Sequence, residues 1–224
     1  TIFFQSKGNA ADFGDSTQAR RRGAGLSNNT RGVHGGGHTP TKVNTIDYYT
    51  IASSGNATDF GDLASATTQA GATSSSTRGV FGGGNTGSAI NVMQYITIAS
   101  TGDTTDFGDL TVARSGLGGS GSDTRGLFNG GYPVSNVIDF ITIASTGDAT
   151  DFGDLTVSRQ GSTGSLSNKT RGLFAGGYAY PASPATSNVI DYVTIASTGN
   201  ATDHGDLIAG KQNLAQASNG HGGL

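Results

Sequence analysis

Five copies of one short signature govern what this chain can become. Asp-Phe-Gly-Asp occurs at residues 12–15, 59–62, 106–109 and 151–154 and returns as Asp-His-Gly-Asp at 203–206, so successive copies start 47, 47, 45 and 52 residues apart. A second mark, Thr-Arg-Gly followed by Val or Leu, keeps step with it at Thr30, Thr77, Thr124 and Thr170. Between the marks recur a glycine cluster, as at Gly82 to Gly84, and an apolar run such as Val137 to Ser145. A period of this length belongs to units of a few strands that cannot bury their apolar faces alone and must stack on copies of themselves.

The ends continue the pattern. Residues 1–13 match residues 192–204 position by position, so the chain starts in mid-repeat. Residues 206–224 follow the repeat only as far as its Thr-Arg-Gly strand, with His221 and Gly222 where Thr and Arg stand elsewhere. Front and back halves together make a fifth unit. A closed ring uses such a split, because pairing first and last strands within one blade leaves few exposed edges. The expectation is an all-β, five-bladed β-propeller, one domain over 1–224, its ring closed by the N-terminal strand pairing with the C-terminal strands. The blades fall at about 16–62, 63–109, 110–154, 155–206, and 207–224 plus 1–15.

Composition narrows the chemistry. Thirty-eight glycines sit at fixed phase against β-branched runs, as turns and close blade contacts require. With no cysteine, the chain has neither disulfides nor thiolate metal sites. No run approaches the ~20 apolar residues of a membrane helix, and a formal net charge of -3 argues against nucleic acid as a partner. No Gly-x-Ser-x-Gly elbow, phosphate loop or His-Glu-x-x-His pair occurs, and His34, His38, His204 and His221 are scattered through the repeats. The expectation is a non-enzymatic protein without cofactor. Calcium at the Asp-rich turns is the less favoured alternative to a purely structural role for those carboxylates.

The double glycine after the Thr-Arg-Gly-Leu-Phe strand and the aromatic of the next strand (Tyr48, Tyr95, Phe140, Tyr192) resemble a kelch repeat. The chain departs from kelch at Phe13, Phe60, Phe107, Phe152 and His204, where that family carries tryptophan. The string Thr-Ile-Ala-Ser-Thr-Gly-Asn-Ala-Thr-Asp-His-Gly-Asp-Leu and its copies are also similar to tandem repeats of structural proteins in tailed bacteriophages, marine and cyanobacterial ones especially. The resemblance implies a virion location, with other virion proteins and a host cell-surface glycan or protein as partners and no membrane insertion.

Two sets of residues stand out against this frame. The repeat arginines Arg31, Arg78, Arg125 and Arg171 and the box aspartates Asp15, Asp62, Asp109 and Asp154 have the spacing of structural pairs that fix register. The second set lies where the variable loops between strands two and three meet the loops leading to the next blade. Arg20, Arg114, Arg159 and Lys211, with Tyr132, Tyr178 and Tyr180, make that face the candidate ligand-binding surface. The plain alternative is that these side chains merely solvate the rim. The leading reading is a virion structural or receptor-contact module of a tail or fibre; the alternative is a multivalent carbohydrate-binding lectin.

Overall fold

The structure, a computed structural model, describes residues 9–160, 164–179, 181 and 185–215. Among these, sixteen strands form four antiparallel four-stranded sheets and there is no helix. The first sheet comprises β1 (Ala24–Ser27), β2 (Arg31–Gly35), β3 (Thr45–Thr50) and β4 (Thr58–Asp62). The second comprises β5 (Gly71–Ser74), β6 (Arg78–Gly82), β7 (Ile90–Thr97) and β8 (Thr105–Arg114). The third comprises β9 (Gly118–Gly121), β10 (Arg125–Asn129), β11 (Ser135–Thr142) and β12 (Thr150–Arg159). The fourth comprises β13 (Gly164–Ser167), β14 (Arg171–Ala175), β15 (Val189–Thr194) and β16 (Thr202–Asp206). In each sheet the strands lie in sequence order, and the arrangement is propeller-like.

The inner strands β1, β5, β9 and β13 touch one another in succession and line an axial cavity of about 510 Å³. They are built of Gly, Ala, Ser, Thr and Leu, because little else fits where sheets converge. A Cβ added at Gly119 would overlap the backbone of Ala72 on the neighbouring inner strand. Farther out, Phe81 of β6 packs on Gly35 of the preceding sheet and Phe128 of β10 packs on Gly82, both rings buried. The apolar alternation of each sheet therefore serves the junctions, and the three core clusters each draw on adjacent sheets. Each such buried aromatic contributes about 1.5–3 kcal/mol.

The Asp boxes are explained by a bulge. Asp47 pairs with Asp59 and Ile46 with Gly61, so Phe60 is skipped in the register. The same shift recurs opposite Phe107, Phe152 and His204. An extra residue re-aims its side chain, and Phe60, Phe107 and Phe152 turn inward, each 2% exposed between an exposed aspartate and a half-buried glycine. Residues 12–15 engage the first sheet as β4 engages the second. Gly55 N donates to Phe13 O at 2.7 Å, and Gly102 N to Phe60 O at 2.7 Å. Of the segments expected to complete a fifth unit and close a ring, 207–224 and 1–15, residues 1–8 and 216–224 lie outside the described residues, and the described parts, 9–15 and 207–215, form no strand.

Candidate functional site

The three arginines among the basic positions after strand four do not form a ligand-binding ring. Arg114 and Arg159 are fully buried and Arg20 is nearly so, each in an ion pair with the third strand of the following sheet: Arg20 with Asp47, Arg114 with Asp139, Arg159 with Asp191, at 2.5–2.6 Å. Arg114 also donates to the carbonyls of Gly130 and Val137, and Arg159 to those of Val189 and Phe174. Burial pulls the pKa of both guanidinium groups down, and the facing carboxylates oppose that pull. A threonine three residues earlier completes each cluster, Thr111 donating to Asp139 and Thr156 to Asp191. These arginines fasten one sheet to the next.

The junction between the first and second sheets solves the same problem without charge. Thr67 stands where the arginine would be, Gln94 where the aspartate would be, and Ala64 in place of the threonine. Gln94 Oε1 accepts from Ala64 N at 2.8 Å and from Thr104 Oγ1 at 2.5 Å. All three positions change together, because a lone buried charge costs more than a neutral hydrogen-bonded set.

The expected pairing of repeat arginines with box aspartates does not form. Arg31, Arg78 and Arg125 instead donate to the carbonyls of Ile98, Ile143 and Ile195 in the following sheet. They lie 4.2–4.7 Å from the ring centroids of Tyr48, Tyr95 and Phe140, and Arg171 lies 4.8 Å from that of Tyr192. The aromatics pass the contact on edge-to-face to Phe60, Phe107, Phe152 and His204. Asp15, Asp62, Asp109 and Asp154 act through their backbone: their N–H groups donate to the side chains of Asn56, Asp103, Asp148 and Asn200 in the next sheet. Among the described residues no group of three or more His, Asp or Glu is placed to hold a metal ion.

What remains for recognition is the face made by the loops. Arg21 bridges to His38, Thr68 to Asn85, Ser115 to Tyr132 and Gln160 to Tyr178, so equivalent positions of four repeats meet in register. On this face Gln69, Asn85, Ser115, Tyr132, Gln160, Tyr178 and Gln212 line a cavity of about 360 Å³ without a charged group. Tyr132 is 58% exposed and Tyr178 half-buried. Of the residues expected here, Tyr132 and Tyr178 line the cavity, Lys211 is exposed beside it in sequence, and Tyr180 lies outside the described residues. The four carboxamides escaped the sequence reading because single Gln and Asn residues in loops carry no pattern of their own; only superposing the repeats brings them together.

The chain matches no family model and no curated protein.

Proposed function

We propose that the protein is a non-enzymatic recognition module, a receptor-contact or structural part of a tailed-phage virion, binding through its loop face. The observation that carries this reading is the contrast between the two ends of the sheets. The turns between strands three and four repeat nearly unchanged and are used up in sheet-to-sheet hydrogen bonds. The loop face differs from sheet to sheet and gathers amide and phenol groups around a cavity. Flat rings beside convergent hydrogen-bonding groups suit the faces and hydroxyls of a sugar. The virion location rests on the repeat string and its resemblance.

The same reading includes a five-unit ring. Residues 12–15 dock on the first sheet as the fourth strand of a preceding unit would, which supports closure through 1–8 and the C-terminal residues. Removing residues 1–5 is expected to lower the melting temperature sharply; an unchanged melt would sink the closure.

Binding of the purified chain to intact bacterial cells, cyanobacterial ones included, and to their extracted surface polysaccharides tests the function, with a Tyr132→Ala/Tyr178→Ala variant alongside. Saturable binding lost in the variant supports the reading, and no binding to any surface overturns the receptor-contact role. Stoichiometry separates it from a multivalent lectin. A single cavity shared by several sheets predicts one ligand per chain, and several equivalent ligands would favour the lectin.

A further inference from the structure

We infer that the loop face takes an acidic saccharide, a polymer whose carboxylates are spaced along sugar units. This rests on the recognition reading above and assigns its ligand class. The sequence carries 16 acidic residues, all of them aspartate. None falls in the described segments that make the loop face, namely 16–23, 36–44, 63–70, 83–89, 115–117, 130–134, 160, 176–179, 181, 185–188 and 207–215. Three are buried in the ion pairs. Of the others, eight lie on the outermost strands β4, β8, β12 and β16, Asp12 and Asp15 lie in the segment docked on the first sheet, and Asp103, Asp123 and Asp148 lie in turns at the far end of the sheets.

The cations are sorted in the opposite sense. Three arginines are buried against aspartate and four lie over aromatic rings. Of the remaining described ones, Arg21, Arg22, Lys42 and Lys211 all belong to the loop face and make no ion pair, and only Lys169 sits at the other end. A molecule of net charge -3 therefore presents one positive face.

That positive sector adjoins the amide-lined cavity. Arg22 occupies the repeat position of Gln69 and Gly116, both of which line the cavity, and all three share one backbone conformation, with φ of 60, 60 and 63. Arg22 O accepts from Gln69 N at 2.8 Å and from Thr68 Oγ1 at 3.2 Å, which fixes the two sectors side by side. A second concavity of about 390 Å³, lined in part by Arg21 and His38, lies on the charged side. Uncharged donors for hydroxyls beside cations for a carboxylate make the donor set of an acidic sugar. Duplex nucleic acid, with about one charge per 1.7 Å, would need many more cations than these four.

The test uses the full chain with polygalacturonate, its methyl ester and single-stranded oligo(dT) as probes, by calorimetry at low and moderate salt. Polygalacturonate is expected to bind, to weaken about tenfold or more between 20 and 300 mM NaCl through screening, and to outbind the ester by about tenfold, or ~1.4 kcal/mol. An Arg21→Ala/Arg22→Ala/Lys42→Ala variant should lose the preference for the acid over the ester while melting at the wild-type temperature. Equal binding of acid and ester, no binding of polygalacturonate, or equally tight binding of oligo(dT) overturns the inference. Salt-insensitive binding to cells would overturn it too while leaving the recognition role standing, whereas the absence of cell binding strikes the recognition role itself.

Discussion

Arg114 Nη2 lies 2.6 Å from Asp139 Oδ2 across the boundary between the second and third sheets, with both side chains wholly buried. A buried pair is weak grounds for net stability, but breaking it from one side leaves a charge stranded. Arg114→Met should therefore destabilise by about 3–5 kcal/mol. The first junction supplies the remedy: Thr111→Ala/Arg114→Thr/Asp139→Gln transplants its neutral set apart from Thr104, whose counterpart is Ala149, and should recover part of that loss. Urea unfolding midpoints decide. If single and triple variants fall equally, the coordinated change at Ala64, Thr67 and Gln94 is not a functional substitute for the ion pair.

His34 predicts a pH dependence. It stands in β2 where Phe81, Phe128 and Phe174 stand in the other sheets, and burial foremost, then Arg20, lower its pKa, with Asp47 opposing. Its folded value is below the unfolded one, so the unfolded chain binds more protons as pH falls. The full stability is present above pH ~6.5, the unfolded reference, and is lost progressively as pH drops through the folded value. Melting temperatures between pH 7.5 and 5 should fall more steeply for the wild type than for His34→Gln. Parallel curves would show that this histidine contributes nothing to the slope.

Gly108 has φ +136, and a Cβ there would overlap the carbonyl of Gly147 and stand 2.8 Å from Asp148 N in the next sheet. Gly108→Ala should cost more than ~1–3 kcal/mol, strain and collision acting together. Gly55, without a positive φ and with nothing within 4 Å of its would-be Cβ, is the control, and Gly55→Ala should stay within ~0.5 kcal/mol of wild type. Thermal unfolding of the two variants settles the comparison.

Ser120 presents the reverse case. It is 7% exposed, its Oγ has no hydrogen-bond partner, and its carbonyl accepts from Thr73 Oγ1. Ser120→Ala keeps the carbonyl bond and removes the desolvated hydroxyl, so stability should hold or rise by up to ~1 kcal/mol. A clear loss on unfolding would mean the hydroxyl has a partner that this geometry does not account for.

The repeat made the sheets legible. Strand order and period follow from copies of Thr-Arg-Gly and Asp-Phe-Gly-Asp, since each copy must present the same edges to its neighbours. The arginines were misread because residue type and loop position do not tell burial. Arg114 reads as a rim residue until Asp139 is seen to vary with it, as Thr67 does with Gln94. The stacking of Arg78 on Tyr95 was hidden for another reason: the partner lies on the adjacent strand of the same sheet, while the carbonyl that shares the guanidinium, Ile143 O, lies 65 residues away. The charge polarity of the loop face needed both kinds of information, the list of aspartates and the end of the sheets at which each one sits.

The arginine and Asx fastenings described above point the same way along the chain. Arg31, Arg78 and Arg125 reach forward to the next sheet's carbonyls, Arg114 and Arg159 to its carboxylates, and the Asx side chains accept from the sheet behind. Each unit is thus a link with a hook and an eye. A duplicated third unit, which carries both Asp139 and Arg159, would arrive with both, matching neighbours it had never met. For links of that kind, how many a chain holds is then a question of the angle between them.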